Sequence, residues 1–408
     1  MDELSLYESI LGLQEPWAVE HVELSKDGVV HVYTEHDRNA ETLCPECGCA
    51  CPRYDTRDKS WRHLDTCQFK TIVHGAVPRA KCPEHGVLQV NVPWAERNSR
   101  FTLLFEAMAI QWLKEASINA VSRRLGLSWN AIDGIMRRAV ARGLSARESV
   151  DYQHIAVDEV SSKKGHKYIT IVSNESGQVV DVRDDRSKNS LAAFYTSLSE
   201  REIDSIQTVS MDMSPAYLSA TKEHVNGWEQ KICFDKFHVA MDLDKAVDSV
   251  RKEEMQFVPA DQRRPLHLSR FNWLRSEGKL KSRHRDTINS LSKVAKKTAR
   301  AWAIRQYAMQ LWNYSTRGWA QRAWARWYGW AARSRLTPIK TVAASIKKNL
   351  WGIINAIVHR KNNAGAESIN SRIKLLKVRA RGFRNKERFK TAILFHFGGL
   401  CLIPAHLN

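Results

Sequence analysis

The chain has 408 residues, 43% of them hydrophobic, enough for two or three domains with a sizeable core. Its formal charge of +19 and pI near 9.6 point to a polyanionic partner, nucleic acid first. No apolar run approaches the ~18–20 residues of a membrane span, and the opening MDELSLYESI lacks a signal peptide's basic and apolar regions. The expectation is a soluble, cytoplasmic protein with no membrane role.

Taken in chain order, VEHVELSKDGVVHVYTE reads as two strands broken by a Lys-Asp-Gly turn. A cysteine-rich region follows. Six of the eight cysteines lie between Cys44 and Cys82, which without a signal peptide suggests metal rather than disulfides. Cys44 and Cys47 form a CxxC knuckle and Cys82 and His85 a CxxH pair. Together they can surround one structural Zn²⁺ tetrahedrally. The 34 residues between the pairs predict a small sheet carrying WRHLDT and FKTIVHG. Cys49, Cys51 and Cys67 are competing ligands.

Residues 116–143 have the cadence of a helix-turn-helix. Ile118, Val121 and Leu125 share one face of a first helix, Gly126 permits the turn, and Ser128 can cap a second helix with Ile132, Ile135 and Met136 inward. That helix is expected to present Trp129, Asn130, Asp133, Arg137 and Arg138 outward, to a DNA groove and its phosphates.

Strands dominate from His154 to Phe234: HIAVDEV, HKYITIVSN, GQVVDVRD, IQTVSMD and WEQKICFD, with the helical LAAFYTSLSE between the third and fourth. Two of these end on Asp158 and Asp212. If their strands are parallel neighbours, both carboxylates project at one sheet edge, where a divalent cation offsets their repulsion. Side-chain alternation sends Glu159 to the opposite face. Asp235 ends a further strand, as an auxiliary ligand or a helix N-cap, with His238 one turn on. Lys163, Lys164 and His166 make a basic hairpin tip.

A helical stretch rich in Trp, Arg and Lys runs from Val239 to about Leu350, and seven of the 14 tryptophans lie between Trp302 and Trp351. Most are expected to anchor a helical core; Trp319, Trp324, Trp327 or Trp330 could instead stack on unpaired bases. A helix from about Asn363 then puts Ile369, Ile373 and Leu376 on an apolar side and Glu367, Asn370, Ser371 and Lys374 on another. Eleven Lys/Arg lie between Arg360 and Lys390, against two acids, Glu367 and Glu387. Lys374, with Arg379 and Arg381 beyond it, is placed to take DNA phosphate.

Two strand aspartates and a distant helical acid form the two-metal site of nucleotidyl transfer on a ribonuclease-H-like fold. The order of three strands, helix, strand, helix, strand matches that core. Together with CPECG (44–48), KCPEHGV (81–87), PWAE (93–96), VDEVSSKKGHKYITIV (157–172), VSMDMSPAY (209–217), CFDKFHV (233–239) and NNAGAESINSRIK (362–374), the chain resembles insertion-sequence transposases of the ISL-three family. The resemblance implies catalytic acids at Asp158, Asp212 and Glu367 holding two Mg²⁺, which Mn²⁺ can replace. It implies double-stranded DNA partners (terminal inverted repeats and target), a dimer or larger assembly on DNA, and a place at the bacterial nucleoid. The expected fold class is α/β: N-terminal strands and zinc module at 1–96, helix-turn-helix at 97–148, and a ribonuclease-H-like core at 149–238 and 351–408, interrupted by an all-helical insertion at 239–350. Two rivals use the same residues: a nuclease or resolvase without strand transfer, and a DNA-binding regulator on a decayed transposase scaffold.

Overall fold

The computed structural model describes residues 2–163, 167–361 and 364–404. The expectations on Lys164, His166 and Asn363 fall outside them. The chain forms two compact units, residues 1–147 with 400–408 and residues 148–399.

The first unit opens with α1 (Glu3–Leu11), capped by the Asp2 side chain and closed by Gly12 at φ 63°. Sequence reading had missed this helix, although Leu4, Tyr7 and Leu11 recur at helical spacing. Strands β1 (Trp17–Leu24) and β2 (Val29–His36) form a hairpin, and Gly28 takes the positive φ its turn demands. Short β3 (Thr42–Leu43) and β4 (Ala50–Cys51) pair with each other. The long strands β5 (Arg53–Thr66) and β6 (Phe69–Cys82) pair antiparallel and carry the predicted WRHLDT and FKTIVHG. β6 lies parallel to β2 on one side and receives β7 (Gly86–Gln89). Alternation buries Val30, Val32, Trp61, Val73 and Val77 on one face. There Trp94 meets Trp17 and Trp61 edge-on at 4.8 and 5.3 Å.

Three helices complete this unit: α2 (Leu103–Glu115), α3 (Ile118–Leu125) and α4 (Trp129–Ser145). Each begins at a hydroxyl cap, Thr102, Ser117 and Ser128, whose side chain accepts a backbone N–H. Gly126, at φ 63°, makes the turn between the last two. Val121, Ile132, Ile135 and Met136 are buried.

The second unit is built on a sheet of order β10-β9-β8-β11-β12: β8 (His154–Lys163), β9 (Lys167–Asn174), β10 (Val179–Asp184), β11 (Thr208–Met211) and β12 (Ile232–Phe234). The first three pair antiparallel, while β11 runs parallel to both β8 and β12. Helices α5 (Lys188–Thr196) and α6 (Glu200–Ser205) connect β10 to β11, and α7 (Pro215–His224) with α8 (Trp228–Lys231) connect β11 to β12. HIAVDEV is therefore the middle strand.

From Asp235 the chain turns wholly helical: α9 (Lys236–Glu254), α10 (Ala260–Leu268), α11 (Arg270–Trp273), α12 (Ser282–Ser292), α13 (Lys296–Gln310), α14 (Arg317–Ala332), α15 (Thr337–Lys348) and α16 (Leu350–His359). Its core holds Trp273, Trp324 and Trp327, and Trp327 Nε1 donates to the Ile304 carbonyl at 2.9 Å. Glu254 accepts the Lys297 and Thr298 N–H groups at 2.8 and 2.6 Å, capping α13 from a neighbouring helix. α16 brings the chain back to the sheet. Asn355 Nδ2 donates to the Ile232 carbonyl at 2.9 Å, and Gly352 lies so close to Phe234 that a Cβ would meet the ring at 2.4 Å. α17 (Ala364–Arg379) and α18 (Lys386–Phe397) then cover the other sheet face, burying Ile369, Ile373, Phe389 and Ile393 against Val160, Ile169, Ile171, Val179 and Val182.

Candidate active site and DNA-binding elements

The parallel register places the acids. Ser210 pairs with Ala156 and with Cys233, and Met211 pairs with Phe234. Carried one or two residues further, Asp158, Asp212 and Asp235 fall in one row, just past the ends of β11 and β12 but midway along β8, which runs on to Lys163 instead of ending on its acids as the sequence suggested. The open ends of parallel strands are where an α/β sheet binds ligands.

Each acid has its own setting. Asp158 accepts the Glu159 N–H at 2.7 Å and the Asn370 side-chain amide of α17 at 2.5 Å. Burial pushes its carboxyl up to about 6, Asp212 and Asp235 adding to the rise against the Glu159 N–H and His238. Burial also raises Asp212, with Asp235 adding, while the Ser214 N–H (3.0 Å), His238 and Arg186 pull it down. Asp235 is buried and accepts the Phe237 N–H at 3.1 Å, so it caps α9 while its field reaches the other acids. His238 Nε2 lies 3.9 Å from Asp235 Oδ2. Glu367 stands in the first turn of α17, one turn before Asn370; burial raises its carboxyl, and Asp235 raises it further. Asp158, Asp212 and Glu367 are thus all held above their ordinary values, chiefly by burial, the behaviour of neighbouring acids in a poorly hydrated place. All-oxygen donors suit a hard divalent ion.

Glu159 faces away from Asp158, as alternation requires. There its carboxylate meets Arg186 at 3.1 Å, and both line a hollow with Asp212, Met213, Ser214 and His238. Sequence reading missed Arg186 and gave Asn370 no role. Asn370's place on the Glu367 face was the available signal. Lys374 and Arg379 on α17, and Arg381 just beyond it, are exposed, and Lys377 Nζ donates to the Ser161 carbonyl at 2.9 Å, tying that helix to β8.

In the first unit, Cys44, Cys47, Cys82 and His85 converge, all their ligand atoms lying within 4.8 Å of one another; among the described residues it is the one such group. Cys47 Sγ is 3.8 Å from Cys82 Sγ, and His85 Nδ1 is 3.9 Å from Cys44 Sγ. The knuckles are shaped by Gly48 and Gly86, both at φ 71°. The His85 backbone N–H and ring draw the Cys82 thiol down to about 6, toward the thiolate that binds metal. Cys67 sits instead at the β5–β6 turn, at φ 51°.

The helix-turn-helix needs two corrections. Asp133, expected outward, is 2% exposed; its position falls on the inward stripe with Ile132 and Met136. Arg138 turns to the buried Glu106, donating through Nε at 2.9 Å, because an interior carboxylate demands a partner. Asn130 and Arg137 are exposed, and Trp129 is half-buried. In the helical stretch, Trp324 and Trp327 are core residues, so base stacking is barred to them, whereas Trp319 (59% exposed) and Trp330 face outward.

Comparison with known proteins agrees with this layout. Residues 40–85 match the zinc-finger of transposases IS204, IS1001, IS1096 and IS1165, residues 90–140 the helix-turn-helix domain of transposase family ISL3, and residues 155–393 the ISL3 transposase domain itself. The chain belongs to the ISL3 transposase family. It is 28% identical to the transposase for insertion sequence element IS1001 of Bordetella parapertussis, covering 97% of this chain and 98% of that one. It is 26% identical to the transposase for IS1557 of Mycobacterium tuberculosis, covering 95% and 94%. This ISL3 transposase is thus an enzyme of DNA transposition with a DDE domain. No described helix is long and apolar enough to cross a membrane.

Proposed function

We propose that the enzyme cuts DNA at the ends of its insertion sequence and joins them to target DNA, with Asp158, Asp212 and Glu367 as the catalytic acids on a ribonuclease-H-like core. The observation that carries this reading is the shared register of Asp158, Asp212 and Asp235, beneath a helix whose first turn carries Glu367. Asp158, Asp212 and Glu367 would hold two Mg²⁺ ions, Mn²⁺ substituting. Bound there, such ions activate the attacking oxygen and stabilise the leaving one. Asn370 fixes the Asp158 carboxylate, and Lys374, Arg379 and Arg381 steady the phosphates. Water cuts first to free a 3′-hydroxyl, which then attacks target DNA, with no covalent protein intermediate.

The first unit supplies recognition. Zn²⁺ on Cys44, Cys47, Cys82 and His85 is structural, since four protein ligands leave no open position. Trp129, Asn130, Arg137 and Arg138 form the surface for the terminal inverted repeats, Arg138 acting by holding α4 on α2. Two ends must be held together, so a dimer or larger assembly works on DNA at the nucleoid. The helical stretch 236–359 is an insertion into the catalytic core. A strand-transfer assay tests the whole: joined products with Mg²⁺, lost in Asp158→Ala, are expected. Cutting without joining would mean a nuclease, and binding alone a regulator.

A further inference from the structure

Arg186 lies just after β10, immediately before Ser187, the cap of α5. Its guanidinium rests 4.3 Å from the Tyr168 ring centre, which sets its plane, and Nη1 donates to Glu159 at 3.1 Å, which sets its edge. A guanidinium carries five N–H donors, and the side chain is half-exposed, at 51%. It lines the same hollow as Asp212 and His238, and its charge acts directly on Asp212. A cation this well oriented beside a row of acids has a use beyond pairing with one glutamate, since an ion pair whose arginine is half-exposed contributes little. Phosphate binds the planar fork with two parallel bonds, a stronger partner.

We propose that Arg186 grips a DNA backbone phosphate beside the bond that is cut, and that Glu159 holds the guanidinium in place until that phosphate displaces it. The proposal rests on the transposase reading and adds to it. Lys374 reaches the DNA from the α17 face of β8, and Arg186 reaches it from the opposite face, so the strand crossing the acid row is held from both sides. Glu159 is then a positioning residue: it orients Arg186 and touches neither metal nor DNA.

The test uses the full chain and a duplex spanning one end of the DNA segment that carries this gene, with flanking base pairs. In the absence of Mg²⁺, Arg186→Gln should weaken binding about tenfold, Arg186→Lys should recover part of that, and Glu159→Gln should tighten binding a few-fold by releasing the arginine. Neutral methylphosphonates placed one at a time near the cleavage point should reveal one position that costs the wild type about tenfold and costs Arg186→Gln nothing more. Thermal melting of each variant separates a lost contact from a lost fold. Binding by Arg186→Gln within about twofold of wild type would overturn the proposal, as would penalties that add at every methylphosphonate. Because these readouts need no cleavage, they stand apart from the strand-transfer assay: an enzyme that binds through Arg186 yet never cuts would sink the transposase chemistry and keep the phosphate contact.

Discussion

The two metal-type sites of this chain solve opposite problems. In the first unit, Cys44, Cys47, Cys82 and His85 close around one point from two glycine-shaped knuckles. In the second, Asp158, Asp212 and Asp235 stand side by side in one register row of the sheet, with Glu367 on a helix of its own. Soft, closed ligation suits holding a small sheet together, whereas a row of hard carboxylates suits receiving a cation and a phosphate. On the proposed function, fold stability is assigned to the first arrangement and reactivity to the second.

The contrast predicts where damage will be felt. Asp158→Asn should lower Mg²⁺-dependent cutting at least about 10³-fold, as for one member of an interdependent site, and leave the melting temperature unchanged or raised, because it removes a buried charge. Glu159→Gln should retain far more cutting; equal losses would mean that the strand faces the other way. Cys44→Ser or Cys82→Ser should reverse the pattern, abolishing cooperative unfolding of the first unit and with it DNA binding, since bound metal is folding free energy. Calorimetry with DNA-binding measurements checks both.

Core and surface tryptophans sharpen the contrast. Trp324→Ala should cost about 3–5 kcal/mol of stability in denaturant titration, and Trp319→Ala no more than about 0.5 kcal/mol.

Acid should act on the two units with opposite sign. His63, buried and bonded to Thr102 at 2.9 Å, is pushed down to about 4 by burial, with Arg62 adding. The unfolded chain therefore binds the proton first, and this contribution, at most about 3 kcal/mol, is intact above the unfolded value of 6.5 and lost as pH falls from there toward 4. Asp158, raised from 3.8 to about 6, behaves the other way without Mg²⁺: the folded state binds the proton first, so its penalty is present above 6 and fades as pH falls toward 3.8. Melting monitored separately in the two units between pH 4 and 6.5 should diverge, and His63→Gln should flatten the response of the first.

Much of this was legible in the residues. Strand alternation and turn glycines marked both sheets, and VSMD read as an apolar strand ending on its acid; HIAVDEV read the same way, but β8 continues past Asp158 to Lys163. The CxxC and CxxH pairs read as a cluster because four ligands recur at knuckle spacing. Long-range partnership was not legible. Nothing local says that Asn370 reaches Asp158, that Arg186 meets Glu159, or that Glu106 draws Arg138 off the outward face of α4. Asp133 was misread because an inward helix stripe about 100° wide takes in its position beside Ile132 and Met136.

The most direct measurement is Mn²⁺ binding to the full-length enzyme, followed by electron paramagnetic resonance with Mg²⁺ as competitor; manganese prefers the oxygen ligands of the acid row over the sulfur-rich cluster. The account predicts Mg²⁺-displaceable binding that Asp158→Asn and Asp212→Asn abolish and Cys47→Ser leaves intact. Binding that survives both aspartate substitutions would contradict it.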